Sequence, residues 1–174
     1  MGKPIVVCLY DLTGVGVEPW IEAGCEAVLV DIQHPVGETR EGSIIKIGAD
    51  IHKGWTIPTW VKKRAVFAMC WTPCDNTAVS GARWFKGKGL RKLAWSIDCC
   101  ATGAEVINEL DVPGFIENPV STLATYWRKP DYKFHPHHYT GYAANDNYTK
   151  QTCVWAFGDF RMPTSNPLLG LGGS

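Results

Sequence analysis

The residue best suited to chemistry is a cysteine that directly follows a proline at the end of an apolar run. The run Val66–Trp71 predicts a buried strand, Pro73 fixes the chain after it, and Cys74 comes next. In α/β proteins, ligands bind at the carboxyl ends of the parallel strands, and a thiolate is a strong nucleophile. The position therefore predicts a nucleophilic Cys74 rather than a cysteine that fills the core.

The other cysteines have a different setting. The chain holds seven cysteines and no CxxC pair, which argues against a disulfide framework. The remaining six lie in apolar or helical patterns and are predicted to be small buried side chains: Cys8, Cys25, Cys70, Cys99, Cys100 and Cys153.

The segments before Cys74 follow the order of a nucleotide-binding βαβ unit. A strand at Ile5–Tyr10 leads into the glycine-containing turn 11–17, a short helix from Glu18 to Gly24, and a strand at Ala27–Val30 that ends at Asp31. Glycines let the backbone approach a ligand, and the acid can hold ribose hydroxyls. The alternative is an ordinary turn whose glycines only reverse the chain.

A second acid follows the next predicted strand. Ser43–Gly48 is a short β-branched run, and Asp50 and Ile51 come after it. A carboxylate there can accept a hydrogen bond from an adenine amino group, or it can be a solvated loop residue. Gln33 to Gly42, before this strand, is predicted to be a polar loop.

Beyond Cys74 the sequence offers a basic segment, a long helix and another polar strand end. Arg83 to Lys92 holds five positive charges and no acid, so it is either a phosphate-binding loop or a solvated one. Apolar spacing predicts one helix from Leu90 to Leu110. The short strand Phe115–Ile116 ends in Glu117-Asn118-Pro119, and Thr152–Phe157 is the last clear strand.

Composition bounds the class of protein. The 174 residues suit one domain with one core, here residues 1–160, followed by a flexible tail over 161–174 that is rich in Gly, Pro and Ser. The net charge is zero, unlike a strongly basic nucleic-acid binder. No apolar run of 18 residues and no signal-peptide pattern occur, so a cytoplasmic protein without a membrane partner is expected. The His-rich segment Phe134–Tyr139 matches no zinc spacing, so no metal is expected.

Taken in order, five motifs resemble the DNA (cytosine-5) methyltransferase family, and in particular its compact, often phage-encoded members. The resemblance covers residues 5 to 160 approximately. It rests on Asp11-Leu12-Thr13-Gly14-Val15-Gly16, Asp31, Asp50-Ile51, Pro73-Cys74 and Glu117-Asn118-Pro119.

The resemblance implies a fold, a cofactor and a reaction. The fold would be α/β, a Rossmann-like S-adenosylmethionine-dependent methyltransferase fold in which a mostly parallel sheet forms a three-layer sandwich. The implied S-adenosylmethionine site comprises Asp11, Leu12, Thr13, Gly14, Gly16, Asp31, Ile32, Asp50, Ile51 and Pro73. Cys74 would add to cytosine C6, Glu117 would act as the acid at N3, and Asn118 would orient Glu117 or contact the base.

The implied partner is DNA, held by positive side chains at Arg83, Lys86, Lys88, Arg91 and Lys150. The chain departs from the family at several points. The glycine turn is one residue shorter, and Pro119 stands where Val is common. The later Gln-x-Arg-x-Arg motif is not intact, and Lys150 is the one cation in its place. No segment after residue 160 is large enough for a target-recognition domain.

These departures keep two alternatives open beside DNA methylation. The same chemistry could act on a free pyrimidine nucleotide or on RNA, or the chain could be a catalytically idle module that binds S-adenosylmethionine or nucleic acid. A homodimer or a separate specificity partner could supply the missing recognition.

Overall fold

The computed structural model describes residues 2–170 and shows one sheet with helices. Its strands are β1 (Ile5–Leu9), β2 (Glu26–Glu41), β3 (Ile44–Gly48), β4 (Ala65–Trp71), β5 (Gly114–Pro119), β6 (Tyr132–Phe134) and β7 (Thr152–Phe157). Its α-helices are α1 (Glu18–Glu22), α2 (Thr59–Lys62), α3 (Phe85–Lys88), α4 (Leu90–Leu110) and α5 (Leu123–Tyr126). Short 3-10 turns cover Val15–Val17, Ile51–Lys53, Val79–Trp84 and Pro136–Tyr139.

The seven strands form one sheet in the order β3-β2-β1-β4-β5-β7-β6. The pairs β1–β2, β1–β4 and β4–β5 are parallel, and β7 runs antiparallel to both of its neighbours. The prediction of an α/β fold with a mostly parallel sheet is confirmed, and the architecture is compatible with a Rossmann-like fold. The carboxyl ends of β1, β4 and β5 consequently meet at one edge, together with Asp31 at the end of the parallel part of β2.

The predicted polar loop Gln33–Gly42 is wrong, because β2 continues through it to Glu41. Ala27–Asp31 pairs with β3 in ascending register, whereas Glu38–Glu41 pairs with the same strand in descending register. The chain reverses at Gly42, whose φ is +60°. Residues 35–41 of β2 are exposed on both faces, so they lack the apolar alternation that identifies a strand in a sequence.

The two faces of the sheet are covered unequally. On one face, α4 packs on the larger core, which includes Val7, Cys70 and Ile116. The other face is covered by α1 and by a cluster of aromatic side chains that packs on a smaller core: Trp20, Phe67, Trp71 and Phe115. Three layers are present, but the second outer layer is reduced to one five-residue helix.

Helix α4 spans the predicted Leu90–Leu110 and lies very close to β4 at one point. A Cβ placed on Gly103 would stand 2.5 Å from the Cys70 Sγ. Only glycine allows this approach without moving the helix or the strand. None of the helices within residues 2–170 is long and apolar enough to cross a membrane.

The chain after residue 160 runs along the loop that follows β6. The Gly141 amide donates to the Asn166 carbonyl at 2.7 Å, and the Asn166 amide donates to the His138 carbonyl at 2.9 Å. The Leu168 amide donates to Thr140 Oγ1 at 2.9 Å. Of the tail predicted over 161–174, residues 163–168 are therefore hydrogen-bonded, and residues 171–174 lie outside the described residues.

We expect Gly103→Ala to destabilise the protein by about 1–3 kcal/mol, because the added methyl overpacks the contact with Cys70. Urea unfolding measures this change. Gly87→Ala is the matched control, since Gly87 is also helical but has no heavy atom within 4 Å of its Cβ position. The control should be neutral or more stable by up to about 1 kcal/mol. If Cys70→Ala fails to restore part of the loss in the double variant, the contact is not the cause.

Candidate functional site

Cys74 lies in a tight turn beyond the end of β4. Its carbonyl accepts hydrogen bonds from the amides of Thr77 at 3.0 Å and Ala78 at 2.9 Å. All seven cysteines fall within the described residues, and among them Cys74 alone is not buried. This agrees with the sequence-based distinction between Cys74 and the six core cysteines.

The loops after β4 and β5 are joined to each other by backbone hydrogen bonds. The Val79 amide donates to the Val120 carbonyl at 2.8 Å, and the Thr122 amide donates to the Thr77 carbonyl at 3.2 Å. Since Cys74 begins the first loop and Glu117 lies near the end of β5, these bonds hold both residues at the same edge of the sheet.

Asn118 fixes the end of β4 from the neighbouring strand. Its side chain is fully buried, and its Nδ2 donates to the Thr72 carbonyl at 3.1 Å and to Thr72 Oγ1 at 2.9 Å. Asn118 therefore uses its amide nitrogen to bind Thr72, which lies two residues before Cys74. Both bonds of Asn118 Nδ2 hold the strand that leads to the thiol, and its predicted roles toward Glu117 or the base stay predictions.

Glu117 is a nearly buried acid beside a single cation. Its side chain is 15% exposed, and its Oε1, which has no hydrogen-bond partner among the described residues, lies 4.0 Å from Lys150 Nζ. Burial raises the pKa of the Glu117 carboxyl, and the Lys150 ammonium opposes that rise. An acid of raised pKa stays protonated closer to neutral pH, as a proton donor must.

The charges around Cys74 also disfavour its ionised form. Burial raises the pKa of the thiol, the Asp75 and Glu117 carboxylates add to the rise, and the Lys150 ammonium lowers it. Cys74, Glu117 and Lys150 therefore form one electrostatic group, in which Glu117 and Lys150 both change the pKa of the thiol and Lys150 changes that of the acid.

Glu117 and Lys150 open into a cavity of about 610 Å³. Most of its wall is aromatic or apolar, and it is lined by Trp71, Glu117, Phe134, Pro136, Tyr139, Tyr142, Asp146, Tyr148, Lys150, Thr152, Met162 and Pro163. Such a cavity suits a flat heterocycle that is stacked by rings and oriented by a few polar groups.

A second space lies at the carboxyl ends of β1, β3 and β4, beside the end of the parallel part of β2. It consists of two adjoining parts of about 530 and 350 Å³, which share Tyr10, Asp31, Gln33 and Trp71. Nine of the ten residues predicted to bind the cofactor line these two parts: Asp11, Leu12, Thr13, Gly16, Asp31, Ile32, Asp50, Ile51 and Pro73.

The tenth residue, Gly14, lies in the glycine turn and does not line the cleft. Its φ is +72°, and a Cβ there would lie 2.8 Å from Leu29 Cδ1. Asp11 Oδ1 accepts hydrogen bonds from the amides of Thr13 at 3.0 Å and Gly14 at 2.8 Å. Asp11 thus holds the turn, while Asp31 accepts from the Gln33 amide at 2.8 Å at the end of the parallel part of β2.

The residues of this cleft fit an adenosyl group. Carboxylates stand at two successive strand ends, Asp31 and Asp50, and the glycine turn leaves the backbone open beside them. Trp71 lines both the cleft and the cavity of Glu117, so one side chain forms a wall shared by the two spaces.

The predicted nucleic-acid-binding residues fall in two places. Arg83 lies in the turn after Cys74, with its guanidinium 5.1 Å from the ring centre of Trp84, and Lys86, Lys88 and Arg91 follow in α3 and at the start of α4. Lys88 donates a hydrogen bond to the Asp75 carbonyl, next to Cys74. Lys150 instead stands in the cavity with Glu117.

Sequence reasoning missed most of the cavity wall. Trp71 was part of the predicted strand but had no role, and Tyr139, Tyr142, Asp146 and Tyr148 were not singled out. The available signal was the length of the segment between the last two strands. Within residues 2–170 no group of three His, Cys, Asp or Glu side chains is arranged to hold a metal ion.

In comparisons with known proteins, no family model matches the chain, and no curated protein matches its sequence.

We expect iodoacetamide alkylation of Cys74 to depend on pH through the charges of its two neighbours. Glu117→Gln removes a carboxylate that raises the thiol pKa, so the alkylation profile should shift to lower pH. Lys150→Met removes the cation that lowers the thiol pKa, so the profile should shift to higher pH. Mass spectrometry of the Cys74 peptide measures both.

Lys92→Met is the control, since it also removes one positive charge but lies on α4 away from the cavity lining. Its profile should match that of the wild type. Shifts of the same sign in the Glu117 and Lys150 variants would contradict the electrostatic group.

Proposed function

We propose that the chain is an S-adenosylmethionine-dependent methyltransferase that modifies cytosine C5 in DNA through a covalent bond from Cys74. The observation that carries this proposal is the juxtaposition of two spaces across Trp71. One is bounded by strand-end acids and a glycine turn, and the other holds Glu117 and Lys150 beside the Cys74 loop.

The sheet supports the same proposal. Its strand order contains an antiparallel β7 inserted between β5 and β6. The mostly parallel sheet agrees with the fold that the sequence resemblance implies, and its order differs by the inserted strand from the six-strand dinucleotide-binding order.

Cys74 would supply the nucleophile. Its thiolate adds to cytosine C6, forming the S–C6 bond while the C5–C6 π electrons move toward N3 and leave C5 electron-rich. C5 would then take the methyl group of the bound sulfonium, whose methyl–sulfur bond breaks to leave a thioether, and N3 would release the proton it had received. A base takes the C5 proton, the C5–H electron pair restores the C5–C6 double bond, and the S–C6 pair leaves with the thiolate. A covalent step of this kind divides one high barrier into two lower ones.

Glu117 would stabilise the charge that this addition creates. Its raised pKa favours the protonated form, which can donate a proton to N3 as the ring accepts electrons. Lys150, 4.0 Å from the carboxyl, places a positive charge on the same side of the cavity. The thiol pKa is also raised, so a proton must leave Cys74 before or during attack.

When bound, S-adenosylmethionine supplies an electrophilic methyl group on sulfonium. Asp31 would hold the ribose hydroxyls, Asp50 the adenine amino group, and the turn at Gly14 and Gly16 the remainder of the ligand. Trp71 lines both spaces, so the cofactor and the cytosine would meet beside its indole.

DNA is the substrate that the basic segment favours. Arg83, Lys86 and Arg91 are exposed beside the Cys74 loop, where they can contact phosphates. One observation favours a free pyrimidine nucleotide instead of DNA. Within the described residues, Lys150 is the one cation that lines the cavity of Glu117. A target cytosine in duplex DNA would have to leave the stack to reach Glu117.

Labelled S-adenosylmethionine should transfer its methyl group to cytosine in mixed-sequence DNA when the wild-type protein is added. Cys74→Ala should abolish transfer, and Glu117→Gln should lower kcat by about 10²–10⁴-fold, the range for loss of a general acid. DNA that contains 5-fluorocytosine should trap a covalent adduct, because C5 then has no proton to lose.

Parallel reactions with tRNA and dCMP complete this test. Label in either of these and none in DNA would replace DNA as the substrate. Cofactor binding without transfer to any of the three would support an idle binding module.

Cofactor binding should be separable from catalysis. Asp31→Ala removes a carboxylate of the cleft and should weaken S-adenosylmethionine binding by about tenfold or more, the loss expected for a hydrogen bond to a charged group. Calorimetric titration measures the affinity. Cys74→Ala serves as the comparison and should bind the cofactor like the wild type. Unchanged affinity in Asp31→Ala would place the ribose elsewhere.

A further inference from the structure

The connection between β6 and β7 is far longer than its geometry requires. The two strands are antiparallel neighbours, and about 2–5 residues suffice to join such a pair. Here residues 135–151, a segment of 17 residues, make the connection. Connections longer than about 12–15 residues in compact domains are usually either functional or disordered. This segment is called the β6–β7 loop below.

The β6–β7 loop is built as an ordered element. Within it, the His137 amide donates to the Tyr148 carbonyl at 3.3 Å, and the Asp146 amide donates to the Ala143 carbonyl at 3.0 Å. Residues 163–168 brace it from outside through the hydrogen bonds at Gly141 and Thr140 described above. A Cβ on Gly141 would lie 2.5 Å from the Asn166 carbonyl oxygen, so the two segments are in close contact.

The β6–β7 loop forms part of the wall of the cavity that holds Glu117. Tyr139, Tyr142, Asp146 and Tyr148 line the same cavity as Glu117 and Lys150. Tyr142 is 66% exposed and Tyr148 is 44% exposed. Exposed aromatic rings on an ordered rim offer surfaces on which nucleotide bases can stack.

Asp146 adds a polar group of a different kind. It lies in the cavity lining between the two exposed tyrosines in sequence. Among base edges, a carboxylate accepts a hydrogen bond from an exocyclic amino group, such as cytosine N4. Stacking rings together with one acceptor can discriminate between neighbouring bases, which a basic segment alone cannot do.

We propose that the β6–β7 loop, braced by residues 163–168, is the element that reads the nucleotides beside the target cytosine. Tyr142 would stack on a flanking base and Asp146 would accept from the amino group of a neighbouring base. This inference rests on the proposed methylation of DNA and assigns target selection to a segment within the chain.

The test uses DNA duplexes that carry one cytosine flanked by randomised bases. Methylated positions are identified by bisulfite sequencing after reaction with the full-length protein. The wild type should methylate some flanking sequences at least tenfold better than others. Tyr142→Ala and Asp146→Asn should each reduce the preference at one flanking position by about tenfold, the effect of losing one typical base contact.

Tyr126→Ala is the matched control, because Tyr126 is 69% exposed on α5 and does not line the cavity. It should keep the wild-type preference. Tyr142→Phe keeps the ring but loses the hydroxyl that donates to the Thr164 carbonyl at 3.4 Å, and should also keep the preference. Comparison of Tyr142→Ala with Tyr142→Phe therefore separates loss of the stacking ring from loss of the hydrogen bond to Thr164.

The outcomes distinguish the two proposals. Methylation with the same flanking preference in the wild type, Tyr142→Ala and Asp146→Asn would overturn the role of the loop alone. A wild type that methylates cytosine without any flanking preference would overturn it as well. No transfer to cytosine by the wild type would overturn the proposed function and this inference with it.

Discussion

The pairing of β4 with β5 is the constraint on which the site depends. Asn118 is fully buried, and its amide nitrogen bonds to both the carbonyl and the hydroxyl of Thr72. A slip of either strand would leave that amide unsatisfied inside the protein, at a cost of several kcal/mol. The register is therefore fixed at the last residues before Cys74, and this fixes the thiol relative to Glu117.

The position of Cys74 and Glu117 at this edge of the sheet explains why the pKa of each is raised. Burial alone raises the pKa of Cys74 and of Glu117, and the proximity of the two raises that of the thiol further. Lys150 acts against both shifts. Both groups are therefore more readily neutral here than in water, and the cation limits that preference.

The sequence revealed the parts of the fold whose patterns are strong. Helix α4 spans the predicted Leu90–Leu110 and β7 spans the predicted Thr152–Phe157, because both carry clear periodicity or β-branched runs. The second half of β2 was missed because an exposed edge strand has no apolar face to detect. Nine of the predicted cofactor residues line one cleft, because motifs at strand ends converge wherever the strands are parallel.

The wall of the cavity that holds Glu117 could not be predicted in this way. Its tyrosines come from irregular segments, where position depends on hydrogen bonds that no periodicity encodes.

The unequal covering of the sheet links the fold to the site. A full helical layer on the face opposite α4 would bury Phe67, Trp71 and Phe115, but here α1 covers only part of that face and all three rings stay half-buried. The connection between β2 and β3, where such a helix could lie, is a hairpin instead.

Trp71 packs edge-to-face on Phe115, with 5.5 Å between the ring centres. A Cβ on Gly16 would lie 3.3 Å from the Trp71 ring. The absence of a side chain at Gly16 therefore lets the indole reach the glycine turn on one side while it borders Glu117 on the other. The reduced helical layer thus leaves room for one side chain to line two adjoining spaces.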